Sequence, residues 1–435
     1  MKRLPSKQRI NFICCLPIFI AIFFAAPAQS ETLTLEAALA TAASNHPDIL
    51  LAQAERDSAM AERDIISARQ DASINFEGIL RSGRSSAWHP DFANDNSARL
   101  SARKTLSDFG RSSNAEMAAN YELNARGAEL TTTLDKRRLE IMAHYFDVLL
   151  ADMQYAADNE LMAVHYVNFD QGKDRLERGQ ISTVELAELE SRYQDTLEKR
   201  NASAKRQRIT RALLANSMNR PGDLSGELED PKLPGNQRTL PDYEALLPIL
   251  LDNNLRLHAQ QEMLAASQKR IASLRAENNP TLDAEVLAAD YSRTAATRDN
   301  LSAGLILSWP LYQGNRTESR IAREIAQFNK LQASTEKLKM ELTQSLLETC
   351  LDITQLQSTA RRAAQKNIDY RDLKLERSRA LYELELKSNL GTSMVETADA
   401  NLRARRTEYQ LAFGFARLEA LMGKPLSQSA NSQKE

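Results

Sequence analysis

Cysteine, glycine, proline and aromatic residues are all scarce. The 435 residues include 3 Cys, 14 Gly and 13 Pro, and aromatics make up 6%. Two of the cysteines, Cys14 and Cys15, lie in the first 28 residues. Cys350 is the one thiol left beyond them, so no internal disulfide is possible there. The Phe12-Ile13 pair before Cys14 lacks the small residue of a lipobox. There is no cationic excess either: the formal net charge is −2 with no basic block, which argues against nucleic acid as a partner. Beyond the N-terminus no stretch approaches ~18 consecutive apolar residues, and the mean hydropathy of −0.47 excludes a polytopic helical membrane protein. HExxH, Walker, GxSxG and CxxC motifs are missing, and His46, His89, His144, His165 and His258 show no metal-ligand spacing. No enzyme activity, catalytic residue, metal or cofactor is therefore expected.

What is present is helix-former usage, with Ala, Leu, Glu, Arg, Gln and Ser dominant. The N-terminus carries Lys2, Arg3, Lys7 and Arg9, a mostly apolar run from Ile10 to Phe24, and Ala26-Pro27-Ala28. Residues 1–28 thus read as a secretory signal peptide. Removing its four cations takes the formal charge from −2 to −6. The exported chain is either soluble or inserted in a membrane as a β-barrel.

The remainder is written twice. Thr32-Leu33 returns as Thr239-Leu240, Ser67-Ala68-Arg69 as Ser273-Leu274-Arg275, and Tyr145-Phe146-Asp147-Val148 as Cys350-Leu351-Asp352-Ile353, at offsets of 207, 206 and 205. Leu106-Ser107-Asp108-Phe109-Gly110-Arg111 matches Leu311-Tyr312-Gln313-Gly314-Asn315-Arg316, again at 205. Ser182-Thr183-Val184-Glu185 matches Ser393-Met394-Val395-Glu396 at 211, and Met218-Asn219-Arg220-Pro221 matches Met422-Gly423-Lys424-Pro425 at 204. Six matches in one order indicate duplication. The first repeat is placed at 29–221, a Gly/Pro/Asp-rich connector at 222–240, the second repeat at 241–425 and a disordered tail at 426–435.

Each repeat opens with a helix (Leu33 to Arg69; Tyr243 to Glu277) that Pro47 or Pro248 is expected to interrupt early. A β-hairpin follows (about 72–107 and 281–310), then a long helical hairpin (about 111–218 and 316–422). Leu338, Leu342, Leu346, Thr349, Ile353, Leu356, Ala360 and Ala363 recur at gaps of three and four, the seam of an amphipathic helix. The helix from Ser112 to Arg178 would be ~100 Å long at 1.5 Å per residue. The fold class is mainly α with a small β part.

In the strands Ile74, Phe76 and Leu80 alternate with Asn75, Glu77 and Arg81. After a polar loop, 84–96, Ala98, Leu100 and Ala102 alternate with Arg99, Ser101 and Arg103. Leu282, Ala284, Val286 and Ala288, then Leu301, Ala303, Leu305, Leu307 and Trp309, do the same. Alternation alone favours a soluble hairpin packed on helices. Stoichiometry reverses this: four strands cannot close a barrel, open edges are not tolerated in lipid, and a ~100 Å helical hairpin has no core of its own. Copies must pool strands, eight from two chains or twelve from three, in a symmetric oligomer.

On these residues the chain resembles the TolC family of outer-membrane efflux and secretion channels. The resemblance runs from about Thr32 to Pro425. It rests on the two strand-to-helix turns with Gly110 and Gly314, on Asn45-His46-Pro47-Asp48-Ile49, on Met422–Pro425, and on two hairpin tips. The tips are Arg178-Gly179-Gln180-Ile181-Ser182-Thr183-Val184-Glu185 and Gly391-Thr392-Ser393-Met394-Val395-Glu396. The resemblance implies a homotrimer with a twelve-stranded outer-membrane barrel on a long periplasmic α-barrel. It also implies a passive exit duct that docks on a periplasmic adaptor and an inner-membrane pump of RND, ABC or MFS type. Arg178, Gly179, Gly391 and Thr392 would then contact the adaptor.

Glu396 and Asp399, three apart on one helix, present both carboxylates on one face. Spacing alone gives a solvated helix face. With the resemblance they become entrance acids whose copies form a ring and raise one another's pKa values, with Glu185 as the first-repeat counterpart. Arg178 and Lys387 are candidate donors holding that entrance closed. Trp309 is either an interface aromatic or a packing residue, and Cys350 a small core residue. The rival reading from another class is a soluble periplasmic coiled-coil adaptor or scaffold.

Overall fold

The computed structural model describes residues 32–85, 89–223, 226–292, 299–384 and 389–424. The expected signal peptide and tail lie outside these, as does Lys387. The first repeat comprises α1 (Leu35–Ala40), α2 (Pro47–Ala68), β1 (Ser73–Ile79), β2 (Ser82–Ser85), β3 (His89–Asn94), β4 (Ser97–Ser107), α3 (Arg111–Glu177) and α4 (Thr183–Ser217). The second comprises α5 (Tyr243–Asn253), α6 (Leu255–Ala276), β5 (Thr281–Tyr291), β6 (Leu301–Ser308), α7 (Arg316–Gln355), α8 (Arg361–Glu383) and α9 (Leu390–Met422). A π-helical turn, Leu356–Ala360, joins α7 to α8 without a break.

Capping sets the ends of the helices. Pro47 occupies the first turn of α2, and His46 Nδ1 accepts the Asp48 N–H at 3.2 Å as its N-cap. Asn254 does the same for α6, accepting from Leu257 at 3.1 Å. The interruption in the second repeat therefore falls at Asn254. Pro248, expected to cause it, is accommodated inside α5. Gly110 (φ +94°) and Gly314 (φ +64°) both take the left-handed conformation where a strand turns into a long helix. Asp108 then accepts the Ser112 N–H at 2.7 Å, satisfying one free donor of the first turn of α3.

α3 runs unbroken for 67 residues, ~100 Å. Near the strands α2 packs on α3, α3 on α6 and α6 on α7; away from them α4 packs on α3, α3 on α9 and α9 on α8. Two apolar cores sit at mid-height. One joins Ile141, Tyr145, Phe146, Leu214 and Met218 to Tyr409, with Phe146 and Tyr409 stacked at 4.6 Å. The other joins Leu246, Leu250, Leu342, Leu346, Ile353, Phe415 and Leu418. Each buried Leu or Phe adds roughly 1.5–3 kcal/mol. The connector crosses here. Leu33 bridges Leu228, the Tyr145 hydroxyl lies 2.7 Å from the Leu33 carbonyl and 2.6 Å from that of Glu229, and Tyr409 donates to Asp230 at 2.8 Å. Arg137, buried on α3, donates to the Ser217 carbonyl at the end of α4.

β1, β4, β5 and β6 form one antiparallel sheet in that order, so β1 and β6 are its free edges. The segment expected as a polar loop, 84–96, instead carries β3, which pairs with β2 as a separate ribbon beyond the sheet.

Candidate functional site

Register decides what each face of the sheet presents. Phe76 stands opposite Leu100, Leu100 opposite Ala288, Ala102 opposite Val286, Val286 opposite Ala303, and Leu282 opposite Leu307. One face is thus apolar across four strands, with Lys104 and Asp290 its two charged residues, and it is open: Phe76 is 73% exposed and Leu305 67%. The other face carries the polar set. Arg103 lies opposite Glu285 and pairs with it, its Nε at 2.9 Å; Arg99 lies 3.6 Å from Glu77; Thr105 donates to Asp283 at 2.7 Å. Polar residues here satisfy one another across strands.

The polar face continues onto the helices. Thr105 and Asp283 also line a cleft of about 1050 Å³ between α2, α3, α6 and α7. Its wall alternates in sign. Arg320 is 2.5 Å and Arg111 3.7 Å from Glu277, Arg270 pairs with Glu122, and Arg126 lies 2.8 Å from Glu129 and 3.4 Å from Glu55. These pairs are partly exposed and each adds little stability, but they give the surface a balanced charge.

At the far end, Arg178 and Gly179 (φ +67°) close α3 and expose the first turn. Glu185 does not present a free carboxylate. It forms a capping box with Ser182, accepting the Ser182 N–H at 2.7 Å, and that bond holds its pKa below the usual value. In the second hairpin α8 ends at Glu383 and α9 begins at Leu390. Gly391 and Thr392, placed by sequence in the tip, belong to the first turn of α9, and a Cβ on Gly391 would stand 2.7 Å from Val164 Cγ2 on α3. The starts of α4 and α9 differ by 207 residues, so the match of Glu185 with Glu396 at 211 is not a structural equivalence.

Glu396 lies about 10 Å along α9 from its start. It accepts from Lys374 and Arg371 on α8, both at 2.5 Å. Lys374, with Arg371 assisting against partial burial, holds its pKa below the usual carboxylate value, opposite to the raised value expected of a bare acidic ring. Its donors come from its own hairpin rather than from Arg178. Asp399 has no hydrogen-bond or ion-pair partner among the described residues.

Burial lowers the pKa of His165, with Arg192 and Lys199 adding to it, and burial raises that of the Cys350 thiol. The side chain of His89 lies outside the description. Trp309 is exposed on the apolar side of β6, and its indole N–H donates to the Asn278 carbonyl at 3.3 Å. The spacing of apolar residues does not predict the π turn at 356–360. Its one signal was length: the helical run 316–383 holds one residue more than 111–177, so the offset between repeats changes from 205 to 206 along it.

Residues 246–423 match the family model of outer membrane efflux proteins. The unmatched first half repeats the architecture of the matched half, and solved channels share the fold over nearly the whole length. CmeC, an outer membrane channel of Campylobacter jejuni, is 12% identical with TM-score 0.74, covering 92% of this chain and 88% of that one. CusC is 16% identical with TM-score 0.72, over 97% and 99%. MtrE, an outer membrane channel of Neisseria gonorrhoeae, is 14% identical with TM-score 0.71, over 90% and 89%. No curated protein matches this chain in sequence.

Proposed function

We propose that this chain is an outer-membrane efflux protein and that three copies close into one duct through the outer membrane, with the helices in the periplasm. The duct passively conducts substrates handed over by an inner-membrane pump and a periplasmic adaptor. The observation that carries this reading is the four-stranded sheet with one bare apolar face and two free edges. β6 is antiparallel to β5 and β1 is parallel to β5, so a neighbour's β1 can extend β6 without breaking the alternation. Closure removes both edges and turns the apolar face to lipid. The helical layers have matching open edges: Leu51 and Ile65 on α2, Met340 and Leu351 on α7, Tyr370 and Leu373 on α8, Ile209 and Leu213 on α4 are all exposed.

The polar sheet face and the charged cleft then line the interior. An adaptor contacts the turn at Arg178 and Gly179 and the neighbouring Thr392. A soluble adaptor would have no use for an exposed apolar sheet, so the channel reading is preferred. Native mass of the detergent-solubilised protein tests the assembly: three protomers are expected in the outer-membrane fraction, and a stable monomer or dimer overturns the duct.

A further inference from the structure

Lys104 is out of place. It lies on β4 directly opposite Ala284, and so on the apolar face with Leu100, Ala102 and Leu106. Its side chain is exposed and has no ion-pair or hydrogen-bond partner among the described residues. The only other charge on this face of the four strands is Asp290, opposite Ala98. Six positions separate Ala98 from Lys104, roughly 20 Å along the strand, so the two cannot meet. A neighbouring protomer cannot supply a carboxylate either, because β4 is an inner strand flanked by β1 and β5.

Depth makes the position interpretable. β5 and β6 end toward the helices at Thr281 and Ser308, which pair with each other; Ala284, level with Lys104, lies three positions further in. That is roughly 10 Å along a strand, less in height when the strand is tilted, and a lysine stem can bridge it toward the water. At the level its ammonium would reach stand Phe109, Trp309 and Tyr312, which are all exposed at the strand-to-helix turns. The Tyr312 hydroxyl has no partner among the described residues, whereas the Trp309 N–H is taken by Asn278. A solitary cation below an apolar band, at the level of aromatic side chains, matches a headgroup phosphate beneath acyl chains.

We propose that Lys104 is a glycerophospholipid site: its ammonium binds the headgroup phosphate of an anionic lipid in the leaflet on the helical side, with the acyl chains against Leu106, Ala284 and Leu305. The proposal rests on the barrel reading, and the test separates the two. The mature full-length protein is titrated with phosphatidylglycerol and with phosphatidylcholine in detergent, and bound lipid is counted by native mass spectrometry. Lys104→Ala should weaken phosphatidylglycerol retention roughly fivefold, leaving phosphatidylcholine unchanged, and Lys104→Arg should behave as wild type. Equal phosphatidylglycerol retention by wild type and Lys104→Ala overturns the site. Displacement of the lipid by inorganic phosphate would mean a free-anion site and also overturns it. Wild-type protein that enters phosphatidylcholine vesicles while retaining lipid independently of Lys104 sinks this proposal alone. Failure to enter vesicles of any composition sinks the barrel as well.

Discussion

Gly391 on α9 and Val164 on α3 touch where the second hairpin meets the first, and the backbone of Gly391 is as close as a residue without a side chain allows: an added Cβ would stand 2.7 Å from Val164 Cγ2. Gly391→Ala should therefore push the hairpins apart at their tips, at a cost of about 1–3 kcal/mol. Denaturant unfolding should show the loss, and Val164→Ala in the same chain should recover most of it. A Gly391→Ala variant as stable as wild type would show that the two helices are not held at this point.

Glu396 carries a pH-dependent contribution. Its folded pKa lies below the ordinary value of 4.5, chiefly through Lys374. Its pairing therefore stabilises the hairpin above about 4.5 and is lost as the pH falls through the lower folded value. Glu396→Gln should cost ~1 kcal/mol at neutral pH, discounted for partial exposure. It should also remove that acid-side loss from the stability profile. An identical acid limb in both proteins would exclude the pairing.

Ion preference should follow Asp399 more than Glu396, because two cations already compensate Glu396. Single-channel reversal potentials should move away from cation preference in Asp399→Asn. Adding Glu396→Gln leaves Arg371 and Lys374 uncompensated and should carry the shift further and weaken block by multivalent cations. Unchanged selectivity in the double variant would place both acids on the outside of the wall.

The buried Tyr145 hydroxyl, flanked by carbonyls, is pushed up to about 12 by burial, with the Glu229 charge adding to it. A raised folded pKa means that this contribution is complete below 10, the ordinary value, and disappears as the pH climbs toward 12. Part of the fall in stability above pH 10 should be missing in Tyr145→Phe, which should itself cost about 1 kcal/mol at neutral pH. Absorbance titration of the ionising phenols checks the assignment.

Placing an arginine at Leu305 should cost about 2–4 kcal/mol in bilayer refolding, and at Asn75, on the polar face, much less. Equal costs would reject the assignment of faces.

The sheet and the long helices were readable because their signals are local and periodic. Ile74, Phe76, Leu100 and Val286 alternate, and Gly110 and Gly314 mark turns that only a flexible backbone makes easily. The tip of the second hairpin was harder. No glycine lies between Glu383 and Leu390 in the sequence, and Gly391 beyond them serves a helix contact. The role of Glu185 was hidden because a capping carboxylate and a free one look alike in sequence. Glu396 finds Lys374 and Arg371 more than twenty residues away across a hairpin, and no spacing rule on one helix reports that. β2 and β3 carry Gly83, Pro90 and polar residues, which read as loop until a partner strand is supplied.

Along the wall, α3 is a seamless rod, while its twin from the second repeat takes up an extra residue in the widened turn at 356–360. In an unbroken helix one added residue would rotate everything beyond it by about 100°, putting charged side chains where the seam belongs. The π turn absorbs that error and leaves a joint there. Beside it, Gln357 donates to the Arg238 carbonyl at 2.9 Å, and Arg361 grips Glu408 with two bonds of 2.7 Å, so the joint is splinted by the connector and by α9. In the proposed trimer, a ring of six staves, only every second one would be jointed. Any bending of its mouth would then have threefold symmetry, and a partner meeting it would find two kinds of groove in alternation.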